Sequence, residues 1–251
     1  MASRAGTTAS DRLTPRHVAY LGLMHMLGAM VLDGVINFGL ATVMYKGTKD
    51  PVSIWPLPNT LAGDAFMTIV IQTTLTWFLD RLAVAGDLKK GLVTPLRMPR
   101  DAHPWIEWFV GLEQGRRVGY AVGGVIGMGP SNSRKEGFMK GFKFHGQRIG
   151  VMIVATFIVF WPITIGILMA MRSQGIGKDY GPLGGDFNVW PFPEIFKGIY
   201  GFATGITTPF VSYIALIFQG ESMIRVNSLH SEDEDSAGEE DTMMEDLQRR
   251  V

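Results

Sequence analysis

The stretch Gly150–Met171 reads GVMIVATFIVFWPITIGILMAM and holds no charged residue. A helix of about 20 apolar residues crosses roughly 30 Å of hydrocarbon. Within that helix every backbone polar group is bonded to the helix itself, which lipid requires. The segment therefore reads as a membrane span. Three further stretches fit the same reading: Val18–Tyr45, Leu61–Leu79, and Ile195–Gln219 with only Lys197 near its start. The expected fold is an all-α polytopic membrane helix bundle with four transmembrane helices. Pro162 in span three and Pro209 in span four are expected to kink their helices.

Composition supports this. Of 251 residues, 47% are hydrophobic and 18% charged, where a soluble domain carries about 25% charge. The net charge of zero conceals a division. Residues 231–251 hold nine of the 23 acids, and residues 1–230 carry 21 Lys/Arg against 14 Asp/Glu. The positive charge flanks apolar segments, as in membrane proteins, so no nucleic-acid partner is expected. The absence of cysteine excludes disulfides, cysteine-ligated metal and S-palmitoylation. The first apolar stretch is longer than the 7–15 residues of a signal peptide core, so it is expected to remain as span one. The organisation expected is a disordered arm over 1–16, a membrane domain over 17–224 and an acidic disordered tail over 225–251.

Lys/Arg counts set the orientation. Residues 80–148 contain twelve, against two in 46–60 and two in 172–194. Four spans then place both termini and the basic region in the cytoplasm. The links VSIWPLPNT (Val52–Thr60) and GKDYGPLGGDFNVWPFPE (Gly177–Glu194) crowd proline, glycine and aromatics, as interfacial loops do.

Span two carries Asp64, Thr68, Gln72, Thr76 and Asp80 at every fourth position, and residues four apart share one helix face. Span one carries His25, Asp33 and Asn37 in the same step. A charged aspartate at mid-span costs about 2.5–3.5 kcal/mol on insertion scales. Asp33 must therefore find a partner, stay protonated or face water. A short link joins the two spans, so they are expected to pack as an antiparallel hairpin. That pairing puts Asp33 near Gln72, Asn37 near Thr68, and His25 near Thr76 or Asp80. The resulting polar seam is the candidate site. Two readings stay open: interhelical hydrogen-bond glue, or a path for a small ion, proton or polar solute.

A third pattern is Gly111, Gly115, Gly119, Gly123 and Gly127, a row that lets another helix approach closely. It reads as a glycine-ridged re-entrant or interfacial helix. A fifth span from Trp105 to Gly129 and a flexible loop are the rivals. Gly201 and Gly205 form another G-x-x-x-G. The ridge supports an alternative function, a non-transporting scaffold or assembly factor that docks a partner membrane helix or a second copy.

Catalytic motifs are lacking: there is no H-E-x-x-H, G-x-S-x-G or G-x-x-x-x-G-K-[ST]. No cofactor or metal is expected. The clusters Arg116–Arg117, Arg134–Lys135 and Lys140–Lys143 suit anionic lipid headgroups, with ordinary positive-inside topology as the plainer account. In the tail, Ser231 and Ser236 each precede an acid by three residues, a pattern that suits phosphorylation. The stretches IWPLPNTLAGD (Ile54–Asp64) and GLVTPLR (Gly91–Arg97), with the pattern of spans, resemble uncharacterised multi-pass membrane proteins of fungi. The acidic tail fits a eukaryotic protein of an endomembrane or the plasma membrane.

Overall fold

A computed structural model of the chain describes residues 9–55, 57, 59–99, 101–111, 134–175, 178–179 and 185–221. It is mostly helical. Helix α1 is Pro15–Tyr45, α2 is Leu61–Lys89, α3 is Pro104–Val110, α4 is Arg134–Ser173 and α5 is Phe192–Glu221. The α1, α5 and Phe142–Ser173 helices are long and apolar enough to cross a membrane. Helix α2 is about 44 Å long at 1.5 Å per residue but carries Asp64, Asp80, Arg81 and Asp87.

Local chemistry sets the helix ends. Thr14 caps α1 by accepting from His17 N, the His17 ring returns the bond to Thr14 N, and Pro15 occupies the first turn, where its missing N–H costs nothing. Residues Tyr20–Leu27 of α1 form a wider π-helical stretch that contains His25. Thr60 caps α2 and Asp64 sits in its first turn, where an acid complements the helix dipole. Helix α4 runs through Pro162. In α5 the turn Gly205–Thr207 tightens to 3-10 geometry just before Pro209, whose ring removes a backbone donor.

The helices alternate in direction. Trp77 Nε1 of α2 donates to His145 Nδ1 of α4, and Trp161 Nε1 of α4 donates to Ala62 O of α2, so these two run antiparallel. At one end of the bundle, Phe187 N donates to Val52 O and Ala62 N to Ile54 O. Buried Val52, Ile54, Leu61, Leu168 and Phe187 close that end. At the other end, Leu96 N donates to Leu216 O and Met98 N to a Glu221 carboxylate oxygen.

Several expectations change. The arm expected to be free docks from Ala9 onward: Ser10 N donates to Pro95 O and Arg97 N to Ser10 O. Helix α2 continues ten residues past Leu79, because nothing from Asp80 to Lys89 breaks it before Gly91 turns at φ 70°. Gly111 is not part of a helical ridge. It ends α3 in the left-handed region at φ 101°, which glycine adopts without strain. One unbroken helix from Trp105 to Gly129 is therefore excluded, and Gly115, Gly119, Gly123 and Gly127 lie outside the described residues. So do Ser231 and Ser236 in the tail.

Spans one and two also do not form the closely packed hairpin expected. Helix α1 lays its length against α5 instead. Glycines are the reason. A Cβ on Gly205 would sit 2.8 Å from Met30 Cα, and one on Gly198 would sit 3.2 Å from Phe38 Cβ. Gly34 and Gly201 are equally tight. Small residues bring backbones close, and dispersion then holds the pair.

Candidate functional site

Helix α2 presents its polar face to a space bounded by α1 on one side and floored by α5. The polar side chains meet there in three rungs at different depths.

The first rung lies near the 46–60 link. Lys197 Nζ of α5 is paired with Asp64 Oδ1 of α2, and these side chains are 6% and 8% exposed. Tyr45 and Glu194 are buried close by. Glu194 Oε2 has no hydrogen-bond partner among the described residues.

The middle rung is centred on Gln72. Its Nε2 donates to Asp33 Oδ2 at 2.7 Å and to Gly201 O at 3.1 Å. Its Oε1 accepts from Thr204 Oγ1 at 3.0 Å and Asn37 Nδ2 at 3.4 Å. An amide side chain has two donor hydrogens and two acceptor lone pairs, so Gln72 is fully used. Asn37 Nδ2 also donates to Asp33 O at 2.9 Å. Among the described residues no cation stands within ion-pair distance of Asp33.

The third rung is His25 Nδ1 against Asp80 Oδ1 at 2.5 Å, with the Ser212 hydroxyl donating to Asp80 Oδ2. Two turns of α2 further on, Tyr20 OH donates to Asp87 Oδ2 at 2.9 Å.

A cavity of about 980 Å³ runs past all three rungs. Every seam residue singled out in the sequence lines it: His25, Asp33, Asn37, Asp64, Thr68, Gln72, Thr76 and Asp80. Asp33 reaches Gln72 and His25 reaches Asp80, while Asn37 meets Gln72 rather than Thr68. Gly201 and Gly205 are occupied within the bundle, against Asn37 and Met30, so they are not open to a partner helix.

The contribution of α5 was missed. The polar stripes singled out in the sequence lie on spans one and two, yet span four supplies Lys197, Thr204 and Ser212. The signal was present: Tyr200, Thr204, Thr208 and Ser212 recur every four residues, and a lysine inside a span calls for an acid partner.

With the rungs placed, the chain can be set beside known proteins. Residues 131–216 match a family described as a protein of unknown function (DUF2456). That interval takes in α4 and most of α5 and leaves α1 and α2 outside it. The chain is similar to an uncharacterised protein of Schizosaccharomyces pombe, 33% identical over 195 residues, which covers 77% of this chain and 36% of that protein. It thus spans little more than a third of that relative's length. It is also similar to an uncharacterised protein of Saccharomyces cerevisiae, 23% identical over 251 residues, covering 81% of this chain and 78% of that protein. No solved structure matches it.

Proposed function

We propose that the chain is an integral membrane protein in which α1, α2, α4 and α5 each cross the bilayer, with both termini cytoplasmic. The place of α2 as a fourth span rests on how its polar groups are met. Asp64 has Lys197, Asp80 has His25 and Ser212, Gln72 is saturated, and the buried Arg81 guanidinium lies over the Trp77 and Phe218 rings. From Leu61 to Leu82 the exposed residues of α2 are Phe66, Met67, Ile71, Leu75, Leu79 and Leu82, which suit lipid. Orientation rests on the twelve Lys/Arg of residues 80–148 and on the meeting of Ser10, Leu96 and Leu216 at one end of the bundle.

The activity is movement of a small ion, proton or polar solute along the seam. One observation carries this reading: eight residues picked by helical spacing alone line a single cavity that runs the length of the bundle. Asp33 is the titrating or coordinating group, because amides hold it where a lysine holds Asp64 and a histidine and a hydroxyl hold Asp80. Asp64 and Asp80 form the two mouths, and Gln72 and Asn37 exchange hydrogen bonds with what passes. The test is flux in reconstituted vesicles, wild type against Asp33→Asn. A flux that the substitution abolishes supports the reading; equal flux, or none from either, sinks it.

A second reading has its own support. The rungs close directly on one another, as hydrogen-bond glue would. In that case Asp33→Asn changes stability in detergent and leaves transport untouched.

A further inference from the structure

The lips of the seam cavity limit what can enter it. Leu32, Ile36 and Leu40 of α1 and Ile71, Leu75 and Leu79 of α2 line the cavity. All six are also highly exposed, none by less than 48%. Lining residues this exposed mark an opening rather than an enclosed wall. The cavity is therefore a slot, open sideways between α1 and α2. It stays open because α1 packs on α5 and meets α2 through the tips of polar side chains.

The slot is long. Its lining runs from Met24 to Tyr45 on α1 and from Thr60 to Asp87 on α2. At 1.5 Å per residue these stretches are about 30 Å and about 40 Å, against a hydrocarbon core of roughly 30 Å. In a bilayer its open side faces acyl chains from one leaflet to the other. An ion stripped of water would meet hydrocarbon along that whole side. An amphiphile would not, since its chains belong there.

On the reading that the seam passes a polar solute, we propose that this solute is the headgroup of a zwitterionic phospholipid. The headgroup travels along the polar floor while the acyl chains stay between the lips and in the surrounding bilayer. Charge selects this headgroup. Asp64, Asp33, Asp80 and Asp87 line the slot, against Lys197 and His25 as basic groups. An anionic headgroup would face a surplus of carboxylates. A zwitterion brings an ammonium for the aspartates and a phosphate for Lys197 at one end or His25 at the other. It can exchange partners with each ion pair in turn and add no net charge to the hydrocarbon.

The full chain in phosphatidylcholine vesicles, with a trace of tail-labelled fluorescent phosphatidylcholine, tests this. An impermeant reductant bleaches the outer leaflet; dye from the inner leaflet is lost only if lipid crosses. Wild-type vesicles are expected to lose the dye of both leaflets and protein-free vesicles only the outer. Ile36→Trp with Ile71→Trp, which narrows the slot from both lips, slows inner-leaflet loss by about tenfold. Val43→Trp, at a position 83% exposed and outside the lining, leaves the rate unchanged. Matching circular dichroism and gel-filtration profiles exclude misfolding as the cause of slowing. Protection of the inner leaflet in wild-type vesicles overturns the proposal, as does a double tryptophan variant as fast as wild type. Faster transfer of labelled phosphatidylserine than of phosphatidylcholine overturns the choice of headgroup. An Asp33-dependent cation flux without lipid transfer overturns the lipid as cargo and leaves the seam reading standing.

Discussion

Gln72 and Asp33 are 39 residues apart in the chain and meet in the middle of the bundle, where Gln72 Nε2 donates to Asp33 Oδ2 at 2.7 Å. The bond joins α2 to α1, two helices that do not pack closely. Through its other donor and its acceptor, the same amide reaches Gly201 and Thr204 of α5. One side chain thus ties three helices at one depth.

Gln72→Leu should remove that tie. A buried polar group left without its partner costs about 1–3 kcal/mol, and here Asp33 Oδ2 loses its amide donor, while Asn37 and Thr204 keep bonds to backbone carbonyls. Unfolding in mild detergent, followed by tryptophan fluorescence, should show a loss of that size. In a double-mutant cycle with Asp33→Leu the pair should couple by about 0.6–1.7 kcal/mol, the range found between membrane helices. Strict additivity would mean that the contact contributes nothing.

Lys197 and Asp64 should behave differently, because both are charged and almost wholly buried. Removing one partner of a buried pair leaves an uncompensated charge and costs about 3–5 kcal/mol, whereas replacing both by apolar residues is often neutral. Lys197→Met and Asp64→Leu should each lower the melting temperature sharply, and the double variant should recover most of the loss. A double variant worse than either single one would show that the pair does more than neutralise itself. Buried Glu194 would then be the next residue to examine.

Much of this site was legible in the sequence, for a simple reason. Helical spacing is a local property, so Asp64, Thr68, Gln72, Thr76 and Asp80 declare one face of one helix without reference to any other. A short link also forces neighbouring helices to run antiparallel, which puts Asp33 beside Gln72. Which helix packs on which is not local. The α1–α5 contact depends on Gly34 and Gly198 as well as the recognisable Gly201 and Gly205, and sequence distance hides that they meet. The same distance, 132 residues between Asp80 and Ser212, concealed the α5 side of the seam. The end of α3 was misread because a four-residue glycine spacing looks the same whether its first member continues a helix or stops one.

The α1–α5 contact makes a prediction of opposite signs. Gly39 of α1 has open space where a Cβ would go, whereas a Cβ on Gly205 would sit 2.8 Å from Met30 Cα and 2.9 Å from Met30 N. Backbone cannot move aside as a side-chain tip can. Gly39→Ala should stabilise the protein by up to about 1 kcal/mol through helix propensity. Gly205→Ala should destabilise it by about 1–3 kcal/mol, the usual cost of overpacking. Thermal melts in one detergent can compare the two. The same sign for both would mean that the helices do not approach this closely.

Arg148 governs a contact away from the seam. Its Nε donates to Phe109 O at 2.9 Å, its Nη1 to Phe144 O at 2.8 Å, and its Nη2 to Trp108 O. Trp108 and Phe109 lie in the last turn of α3, where carbonyls lack helical partners and a cation is favoured. One buried guanidinium of α4 therefore holds a seven-residue helix too short to be stable alone. Lysine keeps the charge but has no planar fork, so Arg148→Lys should still release the end of α3. Backbone amide exchange should then quicken across residues 104–111 and stay as slow as in wild type across Leu61–Trp77 of α2. Arg148→Met should do the same and also lower overall stability, because it leaves buried carbonyls bare at about 1–3 kcal/mol each. Unchanged exchange at Trp108–Gly111 in the lysine variant would show that packing of Phe109 and of Gly111 against Phe144 suffices to hold α3, and that the guanidinium only fills space.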